Sequence, residues 1–214
     1  MIKKIKASLS EKLLLFFLIL LILISFGSYF LLKDRCLFVE NIDPNKINFS
    51  DPKNIAIMNI ECGNVIIELD PNTSPNAVKR FKTLINNGSY NGSAFYRVLE
   101  NTLIQAGDLE YGNIENLNYA KIGTGKSELG SFKSELSDDF EFKIGSVAFA
   151  RKDQFDTEDS EFFIILKDIP IYQGEYTPLG KVIYGMEAIN KIKSGNKSIY
   201  VLRPDYIKSF KLLN

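Results

Sequence analysis

The 214-residue chain carries 26 basic and 26 acidic side chains. That length allows one well-buried domain plus an extension, and the balanced charge offers no basic surplus for nucleic acid. There is no histidine and there are only two cysteines, Cys36 and Cys62, which removes imidazole chemistry and leaves too few thiols for a disulfide framework or a cysteine-built metal site.

Residues 1–12 form a short lysine-bearing N-terminus, and residues 13–32, "LLLFFLILLILISFGSYFLL", are an uncharged run. As a helix this run is about 30 Å long, roughly the hydrocarbon thickness of a bilayer, so it reads as a single transmembrane anchor. Lys3, Lys4, Lys6 and Lys12 in front of it put the N-terminus in the cytoplasm and the remainder outside, in a periplasm or at the cell surface. A cleaved signal peptide is the rival reading, but "FLLKDRC" lacks the small-x-small pattern of a cleavage site. Residues 33–54, with mixed charges, asparagines and two Asp-Pro steps, read as a tether. Within it, Cys36 reads as an unpaired thiol.

Residues 55–214 carry a different pattern. "IAIMNIECGNVIIELD" alternates as a β-hairpin around a Gly63-Asn64 turn. In "TSPNAVKRFKTLINNGSY", Ser74 is the expected N-cap and Pro75 the first helical residue. Val78, Phe81, Leu84 and Ile85 recur with helical spacing up to the stop at Gly88. Strands are expected at 95–99 and 103–106, then long polar loops over 107–143. Further strands follow at 145–151, 161–167 and 178–183, a second short helix over 185–195, and a last strand within "PDYIKSFKLL". Many strands with two short helices predict an antiparallel barrel with helices capping its ends.

Two polar residues sit oddly in this pattern. Arg97 lies in the apolar stretch "AFYRVL" and Gln105 in "LIQAG", although such side chains are rarely buried unpaired. Either both face solvent, or they pair over a groove. Asp153, Asp156, Glu158, Asp159 and Glu161 are irregularly spaced in a predicted loop and read as a solvated face rather than a cation site.

Taken in order, "GNVIIELDPNTSPNAVKRFKTLINNGSYNGSAFYRVLENTLIQAGD", "GSVAFARKDQFDTEDSEFFIIL" and "YTPLGKVIYGMEAINKI" resemble the cyclophilin-type peptidyl-prolyl cis-trans isomerases, collinearly from about Ile55 to Phe210. The resemblance implies an all-β, eight-stranded antiparallel barrel that isomerises X-Pro bonds in polypeptides with no cofactor and no metal. It puts Arg97 at the place of the catalytic arginine and Gln105 at that of the glutamine that orients it. Phe163 matches the floor of the proline pocket, Leu103 stands where a methionine is usual, and Ala150 and Arg151 match the backbone strip that binds the substrate chain. Tyr176 falls where histidine or tyrosine occurs. Thr102, Ile171 and Glu161 depart from the pattern, standing for a phenylalanine, a tryptophan and a glutamine. The expected function is therefore isomerisation of proline bonds in exported proteins; the alternative is a catalytically weak module that binds proline-containing segments or chaperones clients on the membrane surface.

Overall fold

The computed structural model describes residues 8–33, 35–195 and 200–213. Lys3, Lys4 and Lys6, part of the topology argument, lie outside them. The chain divides into two compact units, one ending at Phe38 and the other running from Val39 to Asn214.

The first unit is built on one helix, α1 (Leu9–Lys33). Its start is set by a reciprocal cap: the Ser8 amide donates to Glu11 Oε2 at 2.7 Å and the Glu11 amide to Ser8 Oγ at 3.3 Å, which satisfies two otherwise orphaned N–H groups. The segment Leu9–Leu31 is long and apolar enough to cross a membrane, a test that a signal sequence near an N-terminus also passes. Its leucine, isoleucine and phenylalanine side chains are exposed along the helix.

The second unit contains strands β1 (Ile55–Ile60), β2 (Gly63–Leu69), β3 (Arg97–Leu99), β4 (Leu103–Ala106), β5 (Ser146–Phe149), β6 (Phe162–Ile165), β7 (Pro178–Tyr184) and β8 (Ser209–Leu212). Two helices accompany them, α2 (Pro75–Asn86) and α3 (Met186–Ile189). The strands form one curled antiparallel sheet in the order β3-β4-β6-β5-β7-β2-β1-β8. No ladder joins the two outer strands among the described residues; isolated bridges Ala94–Tyr206 and Arg97–Tyr200 span the seam. This is the expected eight-stranded barrel architecture, with the second helix cut to one turn.

The barrel fills from α2. Ala77, Val78, Phe81, Leu84 and Ile85 form its buried stripe, and the Phe81 ring lies 5.2–5.7 Å from those of Tyr90, Phe149, Phe162 and Phe210. Mostly edge-on geometry of this kind suits the ring quadrupoles as well as burying apolar area. Alternate residues of a strand face opposite ways. Thus Phe162 enters this core, while Phe163 turns to the other face and meets Tyr172 and Tyr176.

Four local expectations change. The first hairpin turns at Glu61-Cys62, with Ile60 opposite Gly63. Asn64 is instead held in the ladder, accepting from Asn59 Nδ2 at 2.9 Å and donating to the Ile42 carbonyl at 2.9 Å. The late part of the supposed tether packs on the barrel: Ile42, Ile47 and Phe49 lie against Ile55, Ile57 and Ile66. Neither cysteine is a free thiol: Cys36 and Cys62 are both disulfide-bonded.

The fourth change concerns the cap of α2. Ser74 occupies the N-cap position without capping, since its hydroxyl donates to the Pro178 carbonyl. Glu135, from the long polar segment, does the work instead, accepting from the Ala77 amide at 2.8 Å and the Asn76 amide at 3.2 Å. A carboxylate at a helix N-terminus also meets the positive end of the helix dipole. Glu135→Ala is therefore expected to cost about 1 kcal/mol, read as a lower urea midpoint with an unchanged slope.

Candidate active site

The β3–β4 hairpin sets the first two site residues. Asn101, at φ 53°, makes the left-handed corner, and the resulting register puts Arg97 directly opposite Gln105. The next ladders place Gln105 opposite Phe163 and Phe163 opposite Ala148. Directly opposed residues share a face of the sheet, so antiparallel pairing lays Arg97, Gln105 and Phe163 in one row.

Arg97 is partly buried and donates from Nη1 to Gln105 Oε1 at 2.8 Å. Gln105 is buried and uses its amide nitrogen twice, donating to Tyr96 Oη at 2.6 Å and Glu161 Oε2 at 2.7 Å. Tyr96 Oη in turn donates to Glu161 Oε2 at 2.7 Å. Burial pushes the Glu161 carboxyl up to about 7, with Asp108 adding to the rise and the bonds from Tyr96 and Gln105 and the charge of Lys152 opposing it. Burial and the same carboxylate hold the Tyr96 phenol well above its usual range.

Beside this polar row lies an apolar cluster in which Leu103, Phe142, Ala148, Phe163, Ile165 and Ile169 are buried. Leu99, Ala150, Tyr172 and Tyr176 pack against it. Tyr176 meets Phe163 edge-on at 5.1 Å and tilts against Tyr172 at 4.6 Å. Arg151 closes the rim: its guanidinium donates to the Glu175 carbonyl at 2.9 Å and to Glu175 Oε2 at 3.1 Å, and lies 5.0 Å from the centre of the Tyr176 ring. A groove of 640 Å³ runs past Arg97, Gln105, Ala150, Arg151, Glu161 and Tyr176. The Ala150 amide is committed to the Glu161 carbonyl at 2.7 Å.

Seven of the nine expected site residues thus come together: Arg97, Gln105, Leu103, Phe163, Ala150, Arg151 and Tyr176. Thr102 stays in the β3–β4 turn, its hydroxyl donating to the Glu100 carbonyl at 3.3 Å. Ile171 is 78% exposed in the one-turn segment Pro170–Tyr172; its neighbour Tyr172 turns inward and covers the Phe163 ring at 5.9 Å. Residues absent from the sequence reading are Tyr96, Tyr172 and Asp108. Asp108 is fully buried and gathers the amides of Glu110, Tyr111, Gly123 and Gly125, fixing one wall of the groove.

The acidic run is not a solvated face throughout. Glu158 and Asp159 are buried, because each has donors to offset desolvation. Glu158 accepts from Ser134 and Thr177, both at 2.9 Å. Asp159 accepts from the Ser127 amide and hydroxyl and faces Arg80 at 3.8 Å.

Residues 55–212 match the family model described as cyclophilin type peptidyl-prolyl cis-trans isomerase/CLD. A protein of Brucella suis named probable peptidyl-prolyl cis-trans isomerase is 38% identical over 150 residues, covering 70% of this chain and 76% of the relative. A peptidyl-prolyl cis-trans isomerase of Acinetobacter baylyi is 33% identical over 148 residues, covering 67% of this chain and 73% of the relative. Among solved structures, a cyclophilin type peptidyl-prolyl cis-trans isomerase of Cryptosporidium parvum, crystallised in the presence of the dipeptide Ala-Pro, superposes with a TM-score of 0.65 at 24% identity; the match covers 75% of this chain and 99% of that one. The chain belongs to the cyclophilin-type peptidyl-prolyl cis-trans isomerase family, and its enzymatic class is that of a prolyl isomerase.

Proposed function

We propose that this isomerase works through Arg97, which donates to the proline nitrogen as the X-Pro bond twists, and that it serves exported polypeptides from a membrane anchor. The observation that carries the proposal is the Arg97–Gln105 bond at 2.8 Å beside the buried Phe163 ring.

Amide resonance opposes rotation by about 18–20 kcal/mol, and X-Pro bonds unaided take tens to hundreds of seconds to isomerise. The catalyst needs no nucleophile. It has to bind the twisted bond better than either planar form. In the twisted state the proline nitrogen recovers its lone pair and accepts a hydrogen bond that a planar amide nitrogen cannot. Arg97 donates only, and it has N–H groups left after one is given to Gln105. Phe163 and Leu103 grip the pyrrolidine ring, and the Arg151 peptide holds the chain.

The test is exchange NMR on a capped X-Pro peptide with substoichiometric full-length protein in detergent. Accelerated cis–trans exchange that disappears in Arg97→Ala is expected. Exchange that persists in the variant rejects the arginine mechanism. Binding without exchange supports the second reading, a proline-binding module, which the outward position of Ile171 favours. Two bonded cysteines fit an oxidising compartment, and the apolar helix fits an anchor. A C-terminal reporter enzyme active only outside the cytoplasm is expected to be active; silence from it, with an active cytoplasmic reporter, reverses the topology.

A further inference from the structure

We propose that Glu161 is a positioning residue of the isomerase, an acceptor that dictates which way round the Gln105 amide sits and so couples the working state of Arg97 to pH. The proposal rests on the arginine reading above and deepens it.

An amide can present either its oxygen or its nitrogen to a neighbour; the two orientations differ by a half-turn. Arg97 has only N–H groups to offer, so it needs the Gln105 oxygen. What forces that orientation lies on the far side of the amide, where Glu161 Oε2 accepts from Gln105 Nε2 and from Tyr96 Oη, both at 2.7 Å. An ionised carboxylate accepts only. It therefore takes both donors, leaves the Gln105 oxygen no rival partner, and fixes the relay Glu161–Gln105–Arg97. A protonated carboxyl brings its own O–H into this triangle. The proton competes for the Tyr96 and Gln105 oxygens, and the half-turned amide, which offers N–H to the guanidinium, becomes accessible.

Glu161 is placed to switch near neutrality. Its carboxyl sits at about 7 through burial and the Asp108 charge, against Tyr96, Gln105 and Lys152. The groups that face it are Tyr96 ahead of β3, Gln105 on β4 with Arg97 beyond it, Asp108 in the loop after β4, and Lys152 in the loop after β5. Tyr90 also senses its charge. The chain has no histidine and its cysteines are bonded, so neither a histidine nor a free thiol competes for a neutral-range titration.

Two readouts then move in opposite directions. The acceptor-only form predominates above the midpoint, so kcat/KM is expected to fall about tenfold from pH 8 to pH 6, following the ionised fraction of one carboxyl. Stability runs the other way. The folded pKa is raised above the unfolded value, so the folded state holds a proton that the unfolded chain lacks; this contribution is present below the unfolded value and is lost as pH climbs to about 7. The melting temperature should therefore decline between pH 6 and 7.5 while activity climbs.

The experiment measures exchange of an uncharged, capped X-Pro peptide by the full-length protein in detergent from pH 6 to 8.5, with melting temperature and the Gln105 side-chain NH2 signals in parallel. Expected are a one-proton rise in kcat/KM, a matching shift of those signals, and loss of both in Glu161→Gln. A wild-type profile that is flat but still dependent on Arg97 overturns the proposal and leaves the arginine reading standing. An inflection that survives in Glu161→Gln also overturns it. Should that variant not fold, the wild-type Gln105 signals decide: a midpoint near 7 in step with activity supports the relay, and signals indifferent to pH reject it. Absence of exchange at every pH removes the reading on which the proposal stands.

Discussion

Arg97→Ala is expected to lower kcat by about a hundredfold or more, the equivalent of roughly 3 kcal/mol for one donor aimed at a transition state, while KM stays within a few-fold. The split follows from when the bond forms. A planar X-Pro nitrogen is a poor acceptor, so Arg97 gives the ground state little and the twisted state much. The apolar cluster around Phe163 and Leu103, proposed above to grip the proline ring, is untouched by the substitution. Arg97→Lys should not restore the rate, because an ammonium is a point charge without the planar fork that spans Gln105 and the substrate together. Exchange NMR at several peptide concentrations separates the two constants. A rise in KM with kcat unchanged would show that Arg97 only binds substrate.

The second large effect concerns stability. Phe81→Ala is expected to cost about 3–5 kcal/mol, because its ring is fully buried at the meeting point of Tyr90, Phe149, Phe162 and Phe210. These rings come from β5, β6, β8 and the stretch after α2, which are too firmly paired to collapse into the void. For a domain of this size each kcal/mol shifts the melting temperature by about 2–4 °C, so a loss on the order of 10 °C should appear by calorimetry. The remaining folded protein should keep its isomerase activity, since Phe163 faces away from Phe162 and the core. A loss below about 1 kcal/mol would mean that the aromatic centre repacks freely, contrary to the usual behaviour of such sites.

Much of the fold was legible because it rests on periodicity. The alternation of 55–70, the helical stripe of Val78, Phe81, Leu84 and Ile85, and the paired phenylalanines each place residues on a face without help from the rest of the chain. The candidate site was legible only through resemblance. Nothing local says that Arg97 meets Gln105; a three-residue turn and its register decide that. What stayed hidden depends on contacts distant in sequence. Glu135 caps a helix almost sixty positions before it. Asp159 looks like a solvated acid until Ser127 and Arg80 surround it. Tyr172 and Ile171 are adjacent and both apolar, and only the turn of Pro170–Tyr172 determines which one shields Phe163. Cys36 looked like a lone thiol because its pairing is a matter of space rather than spacing.

The seam of the barrel has a consequence for how substrates are received. Among the described residues, Arg97 belongs to an outermost strand whose only ladder is the short one to β4; on its other side they show a single bridge, at Tyr200. Backbone held from one flank opens at lower cost than backbone stitched from both. The Arg97 side chain is therefore carried on an edge of the sheet, while Phe163 lies on β6, paired on both sides with β4 and β5. On the arginine reading proposed above, a base paired on both sides beneath an edge strand would let the cleft widen for a bulky chain and still hold the proline ring in one place.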